Sequence, residues 1–375
     1  MKRIIALIVL GLLAALMSHA AAEACSDIFV NHPKTHIAGR NMDFGMNISH
    51  EEIFGFIGQK STTDVVIDAA KVPAQALTSW TNRYGYWGRG SFHTPKVVEG
   101  MNTAGLTLGA LYLAGITQYP AYDPGDKRPV IGFFDLGNYL LSQAGTVAEA
   151  LSLIAGHQIV QSAVEIQPGV FLRDVPLHFS IRDAAGRSAV VESVGGRIQV
   201  YPDAGNVMTN DPAYPEQLAK AQKYTAIDAK KGNGSLTGIP GSFSSTDRFA
   251  RGAVLLANLP VPYSRQEALY QANFVLTSLA SPSLGLPGRG NNSSTIWKVI
   301  KDLDQKIVYV SNTVYFQGGG KIAPTNLANG YEVIDLNAID FQSVPTEFAG
   351  RTIQATPADR VRRIVAADDI PEFSR

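Results

Sequence analysis

Short apolar runs separated by turn residues open the chain. Ser26 to His32 reads as a strand, and His36 to Asp43 reads as its return across the Pro33-Lys34-Thr35 turn. Val97 to Met101 and Leu106 to Ala114 flank Asn102-Thr103-Ala104-Gly105, a second hairpin signal. The pattern turns helical between Val130 and Ile154. There Leu136, Tyr139, Leu140 and Leu141 make an apolar stripe, and Thr146-Val147-Ala148-Glu149 has the form of a capping box opening a second helix. His178 to Asp183, Ser188 to Val194, Arg197 to Tyr201 and Asn206 to Asn210 follow as strands whose links are too short for crossover helices, which predicts an antiparallel meander. Beyond a Gly/Ser-rich stretch at Gly232 to Ser245, helices are expected over Arg248 to Leu259 and, behind a Ser264-to-Glu267 capping box, Gln266 to Leu279, then strands over Thr295 to Asp302 and Lys306 to Ser311. Because the alternation of strands and helices resumes after Ser245, that stretch reads as a loop inside one domain. The expected class is α+β, with two sheets covered by helices around one core. The tail from Thr356 shows no pattern that places it.

The N-terminus has a different character. Lys2 and Arg3 precede an apolar run from Ile4 to Met17, and small residues lead to Ala22-Glu23-Ala24. The run is shorter than the ~20 residues of a membrane-spanning helix, so residues 1–24 read as a cleaved export signal with no stable membrane anchor. The domain reading is then 1–24 signal, 25–355 a single domain and 356–375 tail. Cleavage would make Cys25, the only cysteine in the chain, the first residue. A thiol and a free α-amine would then share one residue, and an amine of pKa about 7.7–8.0 is a usable base near neutrality. A lipidated cysteine is the alternative, although Ala22 and Glu23 fit a lipobox poorly.

Charge and composition narrow the classes. With 32 basic and 32 acidic residues, the chain has no bulk electrostatic reason to seek nucleic acid. A single cysteine forms no internal disulfide. The seven histidines are scattered without an H-E-x-x-H, and Pro33 between His32 and His36 argues against a helix that would align them, so no metal is expected. No serine is followed three places on by lysine, which argues against a serine nucleophile of the S-x-x-K kind; Gly318-Gly319-Gly320-Lys321 lacks phosphate-loop spacing, and no cofactor is expected.

Cys25 needs partners, and Gly39-Arg40-Asn41-Met42-Asp43-Phe44 on the adjacent strand offers them. Side-chain alternation puts Arg40 and Asp43 on opposite faces, so both would reach one thiol only through a bend or strand end near Asn41. Taken alone, the pair reads as a surface ion pair, and Asn210 as a turn residue before Asp-Pro.

Cys25 and the 39–44 stretch are followed in order by Glu99-Gly100-Met101-Asn102 with Gly105-Leu106, then Thr209-Asn210-Asp211-Pro212. Pro240-Gly241 before Ser244-Ser245-Thr246-Asp247-Arg248-Phe249, and Thr295-Ile296-Trp297 before Asp302-Leu303, complete the set. This ordered set resembles the choloylglycine hydrolase and penicillin V acylase family of N-terminal nucleophile hydrolases, over essentially the whole chain between signal and tail. The resemblance implies an αββα sandwich of two antiparallel sheets and hydrolysis of a non-peptide amide through an acyl-thioester. It implies Cys25 as nucleophile with its own amine as base, Arg40 beside the sulfur, and Asp43 holding the amine. Asn210 and the backbone N–H of Tyr112 become oxyanion donors, and Arg248 the second active-site arginine. It also implies a small-molecule substrate with an apolar acyl group: penicillin V, an N-acyl homoserine lactone or, alternatively, a conjugated bile salt. Many relatives carry an acidic residue where this chain has Ser242, and the segment between Asn210 and Arg248 is shorter than in many Gram-positive relatives, which leaves a homo-oligomer open and resembles the periplasmic, Gram-negative branch. The aromatics Trp80, Tyr84, Tyr86, Trp87 and Phe92 suit an acyl pocket, with Trp80 and Trp87 as candidate substrate contacts; core packing or a subunit contact suits them as well. A periplasmic binding protein that lost catalysis is the rival of another class, against which the joint presence of Cys25, Asp43, Asn210 and Arg248 argues.

Overall fold

The computed structural model describes residues 25–44, 52–63, 72–91, 94–167, 170–173, 175–231, 238–281, 294–312, 316–317, 321–322, 331–342, 347–348, 351–354 and 362–364. Residues 1–24, Phe92 and the Gly318–Lys321 run apart from Lys321 lie outside them.

The predicted first hairpin is the centre of one sheet. Strand β1 (Ser26–His32) pairs antiparallel with β2 (Thr35–Phe44) in the register Ser26 to Asn41 through His32 to Thr35. Eight further strands and the second sheet are built the same way: β3 (Glu52–Gly55), β4 (Tyr86–Arg89), β5 (Glu99–Asn102) and β6 (Thr107–Tyr112), then the meander β7 (Leu177–Arg182), β8 (Ser188–Val194), β9 (Arg197–Pro202) and β10 (Val207–Met208). The strands β11 (Ser294–Asp302), β12 (Ile307–Asn312) and β13 (Glu332–Asp335) return to the first sheet, whose order is β10-β1-β2-β11-β12-β13. The second sheet has the order β9-β8-β7-β6-β5-β4-β3 and is extended beyond β3 by β16 (Arg362–Ile364), β15 (Arg351–Gln354) and β14 (Glu347–Phe348). Arg363 pairs with Ile53, so three residues of the segment the sequence left unplaced form a strand.

Helices cover both outer faces. The helices α1 (Leu136–Gln143) and α2 (Val147–Ala155) lie on the second sheet, while α4 (Ser245–Ala257) and α5 (Arg265–Leu279) lie on the first, with α3 (Tyr214–Lys231) against α4. Thr146 and Ser264 each cap their helix by accepting from the amide three residues on, as the sequence predicts. Val130–Gly132 is a strand and not the start of a helix. The expected α+β sandwich, with two antiparallel sheets between helical layers, is the observed fold.

Strand alternation decides what lies between the sheets. In β1, Ile28 and Val30 pack toward α5 with Leu276 and Val275, whereas Cys25 and Phe29 enter the inter-sheet core with Met42, Trp87 and Trp297. Charged residues share that inter-sheet side. Asp27, Arg40, Glu99, Arg182 and Lys301 are all buried there, joined across the gap as Asp27–Arg182, Arg40–Glu99 and Lys301–Glu99. Gly109 makes room for them, since a Cβ at that place would come within 2.8 Å of an Asp27 oxygen and 3.1 Å of a Glu99 oxygen.

Candidate active site

The position of Cys25 follows from the hairpin register. With Ser26 opposite Asn41, Cys25 falls opposite Met42, and residues paired across a strand point to the same side. Its sulfur accordingly lies 3.5 Å from Met42 Sδ and 3.7 Å from Nη2 of Arg40, two places away on the same face. Arg40 is held from the other side, where Nη1 donates to Val98 O (2.5 Å) and meets Glu99 Oε2 at 3.3 Å.

Asp43 has the opposite orientation and reaches the site differently. It is one place past the partner of Cys25, so its carboxyl lies on the other face of β2, and the sulfur meets only the Asp43 carbonyl, at 3.9 Å. β2 runs through Phe44 without the bend that the sequence seemed to require. The irregularity lies in β11, between Thr295 and Trp297, and it turns the Thr295 hydroxyl onto Asp43 Oδ1 at 2.5 Å. The second oxygen, Oδ2, is buried without a hydrogen-bond partner among the described residues. Burial raises the Asp43 carboxyl to about 7, against the opposing pull of Arg248, the Thr295 hydrogen bond and Arg40. Burial also pushes the Cys25 thiol up. Arg40 opposes that push without overcoming it, and Asp43 adds to it.

A third group arrives from the helical side. Ser244 caps α4 by accepting from Asp247 N, which starts the helix so that Arg248 stands in its first turn. Arg248 Nη1 donates to the carbonyl of Cys25 and, at 2.7 Å, to Ser26 Oγ; Nη2 donates to Asn210 Oδ1 at 2.9 Å. The arginine thus ties the Asn210 amide to the cysteine backbone. The Asn210 Nδ2 group donates to Tyr112 O at 2.9 Å, which uses one of its two protons. Around Tyr112 the amides alternate sides: Leu113 N donates to Pro176 O across β7, and Ala110 N to Val98 O on the β5 side. Tyr112 N–H therefore points to the β5 side, the side on which Arg40 meets Val98 O.

Cys25, Arg40, Asp43, Tyr112, Asn210 and Arg248 are brought into one neighbourhood. Trp80 and Trp87 make none of these polar contacts. Trp87 is fully buried on β4 opposite Met101 in the inter-sheet core, and Trp80 packs edge-on against Tyr139 at 5.1 Å between ring centroids. A small cavity of about 40 Å³ does open next to the sulfur's neighbours, walled by Met42, Phe44, Val98, Tyr112, Phe134 and Leu177 among others, with Lys96 at its rim. Neither tryptophan lines it. A larger cleft, about 620 Å³, is lined by Arg128, His157 and Arg197 and contains none of the six residues. Met42, Thr295 and Ser26 are site contacts to which the sequence assigned no role. Met42 sits inside the 39–44 motif and Thr295 opens the Thr-Ile-Trp motif, so position was the available signal and chemistry was not. Among the described residues no group of three or more His, Cys, Asp or Glu side chains could hold a metal ion.

Known proteins resemble this chain in sequence and in fold. The profile of the linear amide C–N hydrolases, choloylglycine hydrolase family, matches residues 25–317. A penicillin V acylase of Pectobacterium atrosepticum is 27% identical over 61% of this chain and 63% of its own length, and a bile salt hydrolase/transferase of Lactiplantibacillus plantarum is 28% identical over 57% and 69%. The chain thus matches less than two thirds of that acylase. In fold it is similar to the penicillin V acylase of Agrobacterium tumefaciens (TM-score 0.67, 22% identity, covering 84% of this chain and 87% of that one). A variant of the conjugated bile acid hydrolase of Clostridium perfringens is similar too (TM-score 0.68, 20% identity, 85% and 94%). A match that begins on the cysteine contacted by Arg40 and spans well over half of the chain means that this protein belongs to the choloylglycine hydrolase family of linear amide C–N hydrolases.

Proposed function

We propose that residues 1–24 are removed on export to the periplasm of a Gram-negative bacterium, and that Cys25 then acts as an N-terminal nucleophile on a small amide with an apolar acyl group. The observation that carries this reading is the pairing of a buried sulfur 3.7 Å from Arg40 with a buried carboxylate oxygen of Asp43 that is unpartnered among the described residues; Asp43 follows the residue opposite Cys25 on β2, and cleavage would free the residue-25 nitrogen. An ammonium on that nitrogen supplies the missing partner of Asp43. The same nitrogen, when neutral, supplies the base that a thiol raised by burial requires.

The chemistry then runs in two halves. The α-amine takes the thiol proton as sulfur attacks the scissile carbonyl, and Asn210 Nδ2 and Tyr112 N–H donate to the resulting oxyanion. Collapse expels the amine product, which takes the proton back from the ammonium and leaves a thioester on Cys25. Water, deprotonated by the same amine, attacks the thioester and releases the carboxylic acid. Each half returns the proton it borrows.

The apolar lining of that cavity suits an apolar acyl group. Penicillin V or an N-acyl homoserine lactone is the substrate proposed, with a conjugated bile salt as the alternative. The test is a release assay on the chain beginning at Cys25, with penicillin V, glycocholate and a long-chain acyl homoserine lactone side by side and Cys25→Ala as control. Turnover of glycocholate alone reverses the substrate order, and retained turnover by Cys25→Ala removes the nucleophile. N-terminal sequencing of the exported protein tests the processing: a start other than residue 25, or a blocked end, refutes it.

A further inference from the structure

Two buried residues that do not touch the sulfur share the charge that faces it. Glu99 on β5 and Lys301 on β11 are both fully buried, in opposite sheets. The carboxylate of Glu99 is divided between two cations: Oε2 faces Arg40 Nη1 at 3.3 Å and Oε1 takes the Lys301 ammonium. Lys301 has no other acidic partner among the described residues. The arrangement is asymmetric, because only Arg40 continues on to the thiol, through Nη2.

A carboxylate in contact with Arg40 would, by itself, cancel the positive potential at Cys25. Two cations around one anion leave a net charge of one, and the cation nearer the sulfur is the one left partly unspent. Resting on the reading of Cys25 as nucleophile, we propose that Glu99 and Lys301 are positioning residues: Glu99 fixes the guanidinium at the mouth of the inter-sheet layer, and Lys301 neutralises Glu99 so that Arg40 keeps its charge for the sulfur. Other charges around the layer do not substitute for the lysine. Asp27 on β1 is taken by Arg182 of β7, Arg89 of β4 lies over the Trp297 ring, and Asp43 of β2 and Arg248 of α4 face Cys25 from its backbone side.

The prediction concerns the thiol and not only turnover, which separates it from the reading it rests on. Cys25 is the only cysteine, so the ultraviolet absorbance of its thiolate, or the pH dependence of its alkylation, reports on this site alone. In the chain beginning at Cys25, Lys301→Met takes the cluster from net one positive charge to none. The thiolate midpoint moves up by about one pH unit, alkylation at pH 7 slows about tenfold, and kcat falls with little change in KM, because neither residue lines the cavity. The double variant Glu99→Gln/Lys301→Met restores one net charge through Arg40 and returns the midpoint to the parental value. A merely structural role predicts instead a lower Tm with an unmoved midpoint. An unchanged midpoint in Lys301→Met overturns the proposal, and so does a double variant that stays with the single one. Titration of the thiol without amide turnover would condemn the hydrolase reading while leaving the charge argument testable.

Discussion

Blocking the nitrogen of Cys25 should change how the fold's stability responds to pH, because Oδ2 of Asp43 then lacks the ammonium as a partner. With that nitrogen in a peptide bond, Oδ2 of Asp43 is buried and unpartnered among the described residues, and burial raises the carboxyl from 3.8 to about 7. A carboxyl whose folded pKa is raised binds its proton more tightly in the native state than in the unfolded one. Stability is therefore fullest below the unfolded pKa and declines as pH rises through the interval up to the folded value. The whole interval corresponds to about 4 kcal/mol, of which roughly 2 kcal/mol falls between pH 5 and pH 7. For a chain of this size that is roughly a 3 °C drop in Tm. In the chain beginning at Cys25 the ammonium pairs with the carboxylate, and this loss is removed. The assay is a pair of thermal or urea melts at pH 5 and pH 7, on the chain beginning at Cys25 and on one carrying a single extra residue ahead of it. The two chains otherwise differ only in the residue that carries the terminal amine, whose ordinary pKa of about 7.7–8.0 lies above this interval. Asp43→Asn in the extended chain should abolish the excess pH dependence. Equal losses in both chains would refute the pairing of Asp43 with the terminal amine.

The extended chain should also lack amide hydrolysis, since its residue-25 nitrogen is an amide without a basic lone pair; undiminished rates would remove the amine from the mechanism. Asn210→Ala should lower kcat by about 10²–10³ with a smaller effect on KM, as for loss of one oxyanion donor, and an effect confined to KM in steady-state kinetics counts against that role. Arg40→Met should raise the midpoint of Cys25 alkylation further than Lys301→Met does, because it removes the cation nearest the sulfur; thiol titration measures both.

Much of the architecture was legible because its determinants are local. The β1–β2 hairpin, the 102–105 turn and the caps at Thr146 and Ser264 each rest on a few adjacent residues. Gly105 adopts a φ of 87° and its amide donates to Asn102 O, as a tight turn at that place requires. α3 was missed since Tyr214–Lys231 is polar along most of its length and offers no broad apolar stripe. β3 and β4 are four residues each, too short for alternation to be read. The site divides the same way. Motif order located five of the six positions, with Tyr112 supplied by the resemblance, but the wall beside them could not be read from aromatic density: neither Trp80 nor Trp87 lines the cavity, which is walled by residues such as Met42, Val98 and Leu177 that lie far apart in sequence.

The inter-sheet layer runs against what stability alone would select. Taking charges out of water costs several kcal/mol per ion even when they are paired, and apolar replacements of such groups are often neutral or stabilising. A sandwich of two sheets needs no ions between them, and Trp87, Met101, Leu111 and Val299 fill the same layer with apolar packing. Yet Asp27, Arg40, Glu99, Arg182 and Lys301 are gathered where β1 and β2 present the cysteine. The low dielectric that makes these charges expensive is also what makes them effective. Within a few ångströms of a sulfur, a cation in such a medium acts with several times the strength it has in water. Burial raises the thiol, and in the same medium the fixed charge of Arg40 opposes that rise. Opening the layer to solvent would weaken both effects together. The balance between them, and hence the reactivity of Cys25, is set by where Glu99 and Lys301 leave the net charge.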